Sequence, residues 1–397
     1  MLKNHLNQRV NNAQPVPELE FVRSYFSRYY SERRDYTVPS MEQREFGFMY
    51  FEGSFMERHR GFANEAELRD FLSKHVPSHV YYSSAYYEDP DADRMELKGW
   101  KGADLIFDLD ADHVKGVEKL SYQEMLEKVK GSVIKLYDEF VCGDLGFSES
   151  ETEITFSGGR GYHIHVFSQQ VRMLGSHERR EIVDYITANG LSAELLAGGH
   201  GAKGIFSSEN EGWPLRLRTA ASVFVEEIKG IDEREAVRML RAAGISRQEA
   251  HEIYTKLKDD AIAAKLLEDG NVLAVVKSNS NATAFISLIE NKARERFAGE
   301  TDQPVTSDIH RLIRMPESLH GKTGFRVVRM SRSELDAFNP LNDALLPYDE
   351  HVEVRIQKEL TPPPVAGFEG TLTEGVHELP LPLALFLLLR KQATLPS

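Results

Sequence analysis

The stretch that most constrains the fold of this chain is residues 104–110, DLIFDLD. Successive side chains of a β-strand point to opposite faces, so Asp108 and Asp110 would share one face and lie roughly 6.6 Å apart at their Cα atoms. An ionised carboxylate on a half-buried strand is unfavourable unless it is paired or bound to a metal. The pattern therefore predicts one of two things: an edge strand with its acidic face in water, or a strand whose two carboxylates hold divalent cations.

The composition is that of an ordinary soluble globular protein, with 41% hydrophobic and 28% charged residues among 397. This length suits two or three domains, or one large domain with an insertion. The net charge of −14 argues against a protein whose main task is to grip duplex DNA, but it allows a nucleic-acid enzyme with a local basic groove. The absence of a leading apolar segment and of a long apolar run predicts a cytoplasmic protein without a membrane span.

A glycine-rich loop is predicted at residues 157–161, SGGRG, before a strand that carries His163. Glycines let a ligand approach the main chain closely, and Ser157 and Arg160 offer hydrogen-bond donors to phosphate. The simpler alternative is the turn of a plain hairpin. Arg160 among the glycines and His163 at the mouth of the loop favour phosphate binding.

A third polar segment spans residues 302–324 and contains Asp302, Asp308, Arg314 and His320. We expect residues 301–306, which include the first residues of this segment, to be extended. The GKT sequence at 321–323 is no P-loop, because the first glycine of that motif would fall on a proline. Paired aspartates, a basic glycine-rich loop and this segment together suit nucleotidyl transfer, in which carboxylates hold two metal ions and basic groups hold phosphates.

The regions between these motifs predict helices. Ser121 and Glu124 form a capping box that begins one helix. Asp232 and Ser246, each followed three residues later by glutamate, begin further helices within an insertion rich in Ala, Glu, Lys and Arg.

At these motifs the sequence resembles the catalytic small subunit of archaeal and eukaryotic DNA primases. The matching segments, in the family's order, are REFGF at 44–48, FDLD at 107–110, SGGRGYH at 157–163 and residues 314–324. Asp112-His113, after the second aspartate, is typical of the archaeal branch.

The resemblance implies roles for individual residues. Asp108 and Asp110 would bind the metal pair, Mg²⁺ or Mn²⁺, with Asp302 as third carboxylate and Asp308 as the competing choice. The expected contacts to the phosphates and sugar of the nucleotide are Ser157, Arg160, His163, Arg314 and His320. Glu45 and Arg58 would lie at the rim of the site and touch nucleotide or template.

The resemblance also implies a fold and partners. We expect a mixed α/β (α+β) core of two small β-sheets flanked by helices, with an all-helical inserted subdomain. The predicted domains are a discontinuous catalytic domain, 1–200 and 299–360, the mainly helical insertion, 201–298, and a Pro-rich linker with a C-terminal tail, 361–397. Within this tail, Leu379 to Arg390 predict an apolar helix that packs on its own domain rather than on a partner. The expected partners are a primase large subunit in a heterodimer, a single-stranded DNA template and ribonucleoside triphosphates, with no membrane.

Zinc is predicted to be absent. Many members of this family carry a zinc site of cysteine and histidine between the aspartate strand and the glycine-rich loop. This chain has only Cys142 and His113 there, and Cys142 is its single cysteine. A single cysteine also excludes an internal disulfide and a cysteine-based zinc site.

The predicted function is that of a DNA-directed RNA polymerase that makes short primers for replication. One alternative is a related polymerase that fills gaps during end joining, which would keep the same carboxylates. A two-metal phosphodiesterase is another, although it has no need of a triphosphate cradle. The last alternative is a non-catalytic nucleic-acid-binding subunit.

Overall fold

The computed structural model describes residues 17–33, 35–53, 55–196 and 211–396. It divides the chain into two units. The first unit comprises Met1–Val133, Ser148–Ser176 and Pro304–Ser397, and the second comprises Ile134–Phe147 and His177–Gln303.

All strands of the described chain belong to the first unit. They are β1 Phe46–Met49, β2 Glu57–Arg60, β3 His79–Ser83, β4 Ala85–Tyr87, β5 Trp100–Ala103, β6 Leu105–Asp110, β7 Thr152–Phe156, β8 Gly161–Val166, β9 Leu312–Arg314, β10 Val328–Met330, β11 His351–Ile356, β12 Gly375–Pro380 and β13 Ala393–Thr394.

These strands form small antiparallel sheets. Two have four strands, in the orders β2-β1-β3-β9 and β10-β7-β8-β6. The described residues also form a three-stranded sheet, β12-β11-β13, and a β4-β5 pair. The mixed α/β class is confirmed, and the two predicted sheets are accompanied by two smaller ones.

Helices occur in both units. They are α1 Pro17–Glu32, α2 Glu65–His75, α3 Tyr122–Lys135, α4 Ser176–Thr187, α5 Ala193–Leu196, α6 Gly212–Gly230, α7 Glu233–Ala242, α8 Arg247–Leu257, α9 Asp260–Leu267, α10 Val272–Val275, α11 Asn279–Phe297, α12 Gln303–Ser307, α13 Arg332–Leu335, α14 Pro340–Asp343 and α15 Leu381–Leu389. A π-helical segment, Leu136–Asp144, follows α3. None of the described helices is long and apolar enough to cross a membrane.

The predicted helix starts are confirmed. Ser121 and Glu124 bond reciprocally, because the Ser121 N–H donates to the Glu124 carboxylate at 2.8 Å and the Glu124 N–H donates to the Ser121 hydroxyl at 3.3 Å. The side chains of Asp232 and Ser246 accept hydrogen bonds at the N-termini of α7 and α8. These caps satisfy N–H groups that have no partner within the helix.

The extended conformation predicted for residues 301–306 is wrong, since α12 occupies Gln303–Ser307. Pro304 lies in its first turn, where the missing N–H is not needed and the fixed φ of proline suits a helix.

The observed units differ from the predicted domain boundaries in two places. The second unit is wider than the predicted insertion, because it also contains the π-helical segment and most of α4. The segment 361–397 belongs to the first unit, in which α15 is buried from Leu381 to Leu388. Because α15 is apolar and buried, it is part of the core of the first unit.

The sheet with β6 and β8 positions the acidic stretch. Leu105, Phe107 and Leu109 are buried as the alternation predicts, while the Asp108 and Asp110 side chains keep 18% and 33% of their surface exposed. Strand β8 lies between β6 and β7 and is buried along its whole length. Because β6 is an edge strand of this sheet, both aspartates project from the sheet's edge.

Candidate active site

A cavity of about 360 Å³ opens in the first unit beside the acidic face of β6. It brings together most of the residues predicted for the site, namely Asp108, Asp110, Ser157, Arg160, His163, Arg314 and His320. These residues come from three segments that are far apart in sequence. Its volume lies in the range of pockets that hold small molecules.

The register of β6 against β8 places the carboxylates within the cavity. Asp108 is paired with His163 across the ladder, and Asp110 with Gly161. Both carboxylates thus lie at the end of the β7–β8 hairpin, next to its turn. Their partial exposure leaves oxygen atoms accessible to a ligand in the cavity.

The glycine-rich stretch is the turn of the β7–β8 hairpin, closed by the Ser157 N–H, which donates to the Gly161 carbonyl at 2.9 Å. A Cβ at Gly161 would lie 2.5 Å from the Leu109 carbonyl oxygen of β6. Gly158 has a φ of +77°, and a Cβ there would lie 2.7 Å from the His320 Cβ. Glycine is needed at both positions because only glycine tolerates these close approaches.

Arg160 extends from this turn toward the carboxylates. Its guanidinium donates to Asp110 at 3.2 Å and also contacts Asp112. The hydrogen bond from Arg160 lowers the pKa of Asp112 below its usual value. Because the Asp112 side chain is largely exposed, this contact is a weak restraint on Arg160.

His163 is buried beside Asp108, with its Nε2 3.6 Å from the carboxylate oxygen. Burial, assisted by His165 and Arg314, holds the pKa of His163 well below its usual range. The ring is therefore neutral at pH 7, and its contact with Asp108 is not an ion pair. Its Nδ1 has no hydrogen-bond partner among the described residues.

Arg314 is oriented by a neutral histidine. Its Nη1 donates to the His79 Nδ1 at 2.6 Å, and its guanidinium lies 5.1 Å from the centre of the Tyr81 ring. Burial and the neighbouring Arg314 lower the pKa of His79 to about 3. His79 therefore accepts this hydrogen bond at neutral pH, and Arg314 keeps its charge directed at the cavity.

His320 is connected to the glycine-rich turn through Thr323. The Thr323 hydroxyl donates to the Gly158 carbonyl at 2.6 Å and lies 3.1 Å from the His320 Nδ1. Since the only hydroxyl proton is used by Gly158, Nδ1 is the donor to Thr323, and Nε2 is left as an acceptor. The Lys322 N–H approaches the same Nδ1 only at 3.4 Å, which is the weaker contact.

Glu45 and Arg58 form a pair outside the lining of this cavity. Arg58 Nε donates to the Glu45 carboxylate at 2.9 Å, and the Glu45 side chain is fully buried. The buried Lys98 ammonium lies 3.8 Å from the same carboxylate. Arg58 is partly exposed but Glu45 is enclosed, so the two do not form an exposed surface pair. That these residues touch nucleotide or template stays a prediction.

Neither candidate for the third carboxylate belongs to the cavity lining. Asp308 is exposed, accepts a hydrogen bond from the His310 N–H at 2.9 Å, and does not belong to the cavity lining. Asp302 lies in the second unit, directly before α12. Its assignment stays a prediction.

Several lining residues were not predicted from the sequence. They are Tyr81, Arg311, Lys322, Thr323 and Arg390. Arg311, Lys322 and Thr323 lie inside the third polar segment, so proximity to its motif was a usable signal. Tyr81 lies two residues after His79 on β3, outside the motifs named in the sequence. Arg390 comes from the segment expected to be a tail, and its sequence carries no such signal.

The cavity is basic although the chain is acidic. Its lining contains Arg160, Arg311, Arg314, Lys322 and Arg390 against Asp108 and Asp110. This arrangement suits an anionic ligand such as a triphosphate. A chain with a net charge of −14 therefore contains a locally basic cavity.

Two carboxylates on one strand face fit a divalent cation whose remaining ligands come from its substrate. Mg²⁺ in nucleotide enzymes is commonly held by one or two carboxylates together with phosphates and water. No group of three or more acidic, histidine or cysteine side chains within the described ranges is arranged as a complete metal site. Asp108 and Asp110 thus fit an ion that is bound together with a phosphate ligand.

Comparison with known proteins points to one family. The model of the DNA primase small subunit family matches residues 107–332, more than half of the chain. The DNA primase small subunit of Methanocella arvoryzae is 40% identical over 94% of this chain and 97% of its own length. That of Methanothrix thermoacetophila is 42% identical over 93% and 97%, and that of Methanosphaerula palustris is 41% identical over 94% and 96%.

Proposed function

Because the chain belongs to the DNA primase small subunit family, we propose that it is the catalytic subunit of a DNA primase, which synthesises short RNA primers on single-stranded DNA. The observation that carries this proposal is a cavity in which the partly exposed carboxylates of Asp108 and Asp110 face a basic wall. Carboxylates for metal ions and cations for a triphosphate are the two requirements of nucleotidyl transfer.

In this proposal Asp108 and Asp110 hold the cation pair, Mg²⁺ or Mn²⁺. When bound there, these ions supply the charge that activates a 3′-hydroxyl and neutralises the triphosphate. The turn with Ser157 and Arg160 binds phosphate oxygens through its hydroxyl, guanidinium and main-chain N–H groups.

The remaining wall orients the nucleotide. Arg314 presents a fixed positive charge because His79 holds its guanidinium at 2.6 Å. His320 presents an unprotonated Nε2, which accepts a hydrogen bond from a hydroxyl or a protonated phosphate oxygen. His163, neutral and buried, fixes the position of Asp108 by packing against it.

The proposed partners follow from the family name. The curated relatives are called small subunits, so we propose that this chain pairs with a large subunit in a heterodimer. Ribonucleoside triphosphates and single-stranded DNA are the proposed substrates, and a chromosomal template implies the cytoplasm of an archaeal cell as the compartment.

The test is synthesis on unprimed single-stranded DNA with labelled ribonucleoside triphosphates and Mg²⁺ or Mn²⁺, using the full chain alone and with its large subunit. We expect labelled primers that start without a supplied end. Extension only from a supplied 3′ end would favour the end-joining polymerase instead. DNA binding without nucleotide incorporation, both for the chain alone and with its large subunit, would favour a non-catalytic subunit.

A further inference from the structure

Arg390 is fixed by the fold, although the sequence suggests a tail. It follows α15, whose residues from Leu381 to Leu388 are buried against strands β11 to β13. The Arg390 N–H donates to the Phe386 carbonyl at 3.3 Å, which closes the last turn of the helix. The position of the Arg390 backbone is therefore set by a core element.

The Arg390 guanidinium rests on two aromatic rings. It lies 4.5 Å from the centre of the Phe386 ring and 5.1 Å from that of Tyr122. The Tyr122 hydroxyl in turn donates to the Gly159 carbonyl at 2.6 Å. Because cations are attracted to ring faces, this support holds the side chain beside the glycine-rich turn.

The charge of Arg390 is available to a ligand. Its guanidinium forms no ion pair with any carboxylate of the described chain, whereas Arg160 is paired with Asp110 and Asp112. Arg390 lines the same cavity as Ser157, Arg160 and His320. A supported cation without an acidic partner, in the wall of a basic cavity, suits an anion.

We propose that Arg390 is a further binding residue for the triphosphate of the incoming nucleotide. This inference rests on the proposed function, and it adds a residue outside the region 107–332 that the family model matches. The triphosphate is favoured over the phosphates of DNA because the support of Arg390 is bonded directly to the turn that carries Ser157 and Arg160.

The test is equilibrium binding of ATP with Mg²⁺ to the full chain by calorimetry, with adenosine and a single-stranded oligonucleotide as separate ligands. Arg390→Gln should raise the Kd for ATP about tenfold, as expected for loss of one charge-assisted hydrogen bond. Arg390→Lys should recover part of the affinity. The affinity for adenosine should not change, because adenosine has no phosphate.

The matched control is Lys391→Gln, which removes one positive charge from the adjacent exposed position outside the cavity lining. Both side chains are exposed, but only Arg390 lines the cavity, so Lys391→Gln should change the Kd for ATP by less than about twofold. The melting temperature of each variant is measured first. If Arg390→Gln does not fold, Arg390→Met carries the test, because its side chain still packs on both rings.

Equal affinities of wild type and Arg390→Gln for ATP would overturn this inference and leave the proposed function standing. Weaker oligonucleotide binding with unchanged ATP binding would also overturn it and assign Arg390 to the DNA. A wild-type chain that binds no ATP at all, alone or with its large subunit, would contradict the proposed function itself.

Discussion

Two acidic sites on one continuous stretch of the first unit have opposite environments. Asp104, just before β6, is buried and forms an ion pair with Arg44 at 2.6 Å, with both side chains at most 1% exposed. Four residues later in the chain, Asp108 and then Asp110 lie on β6 and line the cavity. Asp104 and Arg44 are called the buried pair below, and the partly exposed Asp108 and Asp110 the open pair. The sequence pattern of the three aspartates gives no hint of this division.

The buried pair is surrounded by its own partners. The Tyr86 hydroxyl donates to Asp104 at 2.6 Å, while Arg44 donates to the Ser84 carbonyl at 2.7 Å and lies 3.6 Å from the centre of the Tyr86 ring. Burial raises the pKa of Asp104 above its usual value, and Arg44 opposes that rise. Partners of this kind fix a fold and leave no room for a ligand.

The open pair keeps its capacity to bind. Asp110 accepts hydrogen bonds from the partly exposed Arg160 at 3.2 Å and from the Asp112 N–H at 3.1 Å, and its side chain stays 33% exposed. The cavity faces both carboxylates with further cations. The comparison teaches that burial and partners, not the presence of aspartates on a strand, separate a structural acid from a functional one. The variants below test this distinction.

The largest effect is expected for Asp108→Asn. The change keeps the shape of the side chain and removes its charge, so nucleotide incorporation should fall about a thousandfold, as when a preorganised electrostatic group is lost from an active site. Primer synthesis is the measurement. The melting temperature should stay near that of the wild type, because Asp108 is partly exposed. Incorporation within about tenfold of wild type would remove Asp108 from the chemistry.

The buried pair should show the reverse behaviour. Arg44→Met leaves Asp104 without its cation, so the free energy of unfolding should fall by about 3–5 kcal/mol. Urea unfolding measures it. The double variant Arg44→Met/Asp104→Leu is the control and should recover most of this loss, because no unpaired charge remains. A loss below about 1 kcal/mol in the single variant would mean that the pair behaves like a surface salt bridge.

Gly161→Ala tests the contact between the glycine-rich turn and the carboxylate strand. The added Cβ would meet the backbone of Leu109 and Asp110 at 2.5 and 2.9 Å, so β6 and β8 must separate. We expect a destabilisation of about 1–3 kcal/mol, together with lower incorporation per folded molecule. The control is Gly131→Ala in α3, where a Cβ meets no atom within 4 Å and should stabilise the helix by up to about 1 kcal/mol. Equal stabilities of the two variants would contradict the close packing.

The smallest effect concerns pH. Burial, assisted by Arg44 and Arg329, lowers the pKa of His165 to about 3, so the unfolded chain takes up this proton first as the pH falls below about 6.5. Stability due to neutral His165 is present above pH 6.5 and is lost toward pH 3, with a slope of up to about 1.4 kcal/mol per pH unit.

Urea midpoints between pH 7 and pH 5 measure this slope. His165→Phe should show a shallower decrease in stability than the wild type over that range. His351→Gln removes an exposed histidine of the first unit and serves as the control, with the wild-type decrease retained. If His165→Phe lost stability as steeply as the wild type, the buried ring would not be the group that titrates.

Local patterns predicted those parts of the site that belong to single segments. The alternation in residues 104–110 predicted which face of β6 carries Asp108, and the glycines around Arg160 predicted a turn open to a ligand. Glycine spacing alone did not distinguish a hairpin turn from a phosphate-binding loop. In the structure the turn closes the β7–β8 hairpin and also lines the cavity, and phosphate binding by it stays a proposal.

Contacts between distant segments could not be predicted from local sequence patterns. The bond from Arg314 to His79 joins residues 235 positions apart, and no local pattern encodes it. The apolar run from Leu379 to Arg390 predicted a terminal helix packed on its own domain, and α15 confirms it, but nothing in that run indicates that Arg390 reaches the cavity. Residues 301–306 were expected to be extended, but Pro304 lies in the first turn of α12, where a proline suits a helix.

The most direct test of the central claim is a crystal structure of the chain with Mn²⁺ and a non-hydrolysable ribonucleoside triphosphate, with manganese located by anomalous scattering. We predict manganese in contact with both Asp108 and Asp110, and the triphosphate against the turn that contains Ser157 and Arg160. Manganese that contacts neither carboxylate, or a triphosphate bound outside the cavity, would contradict the assignment of this cavity as the nucleotidyl-transfer site.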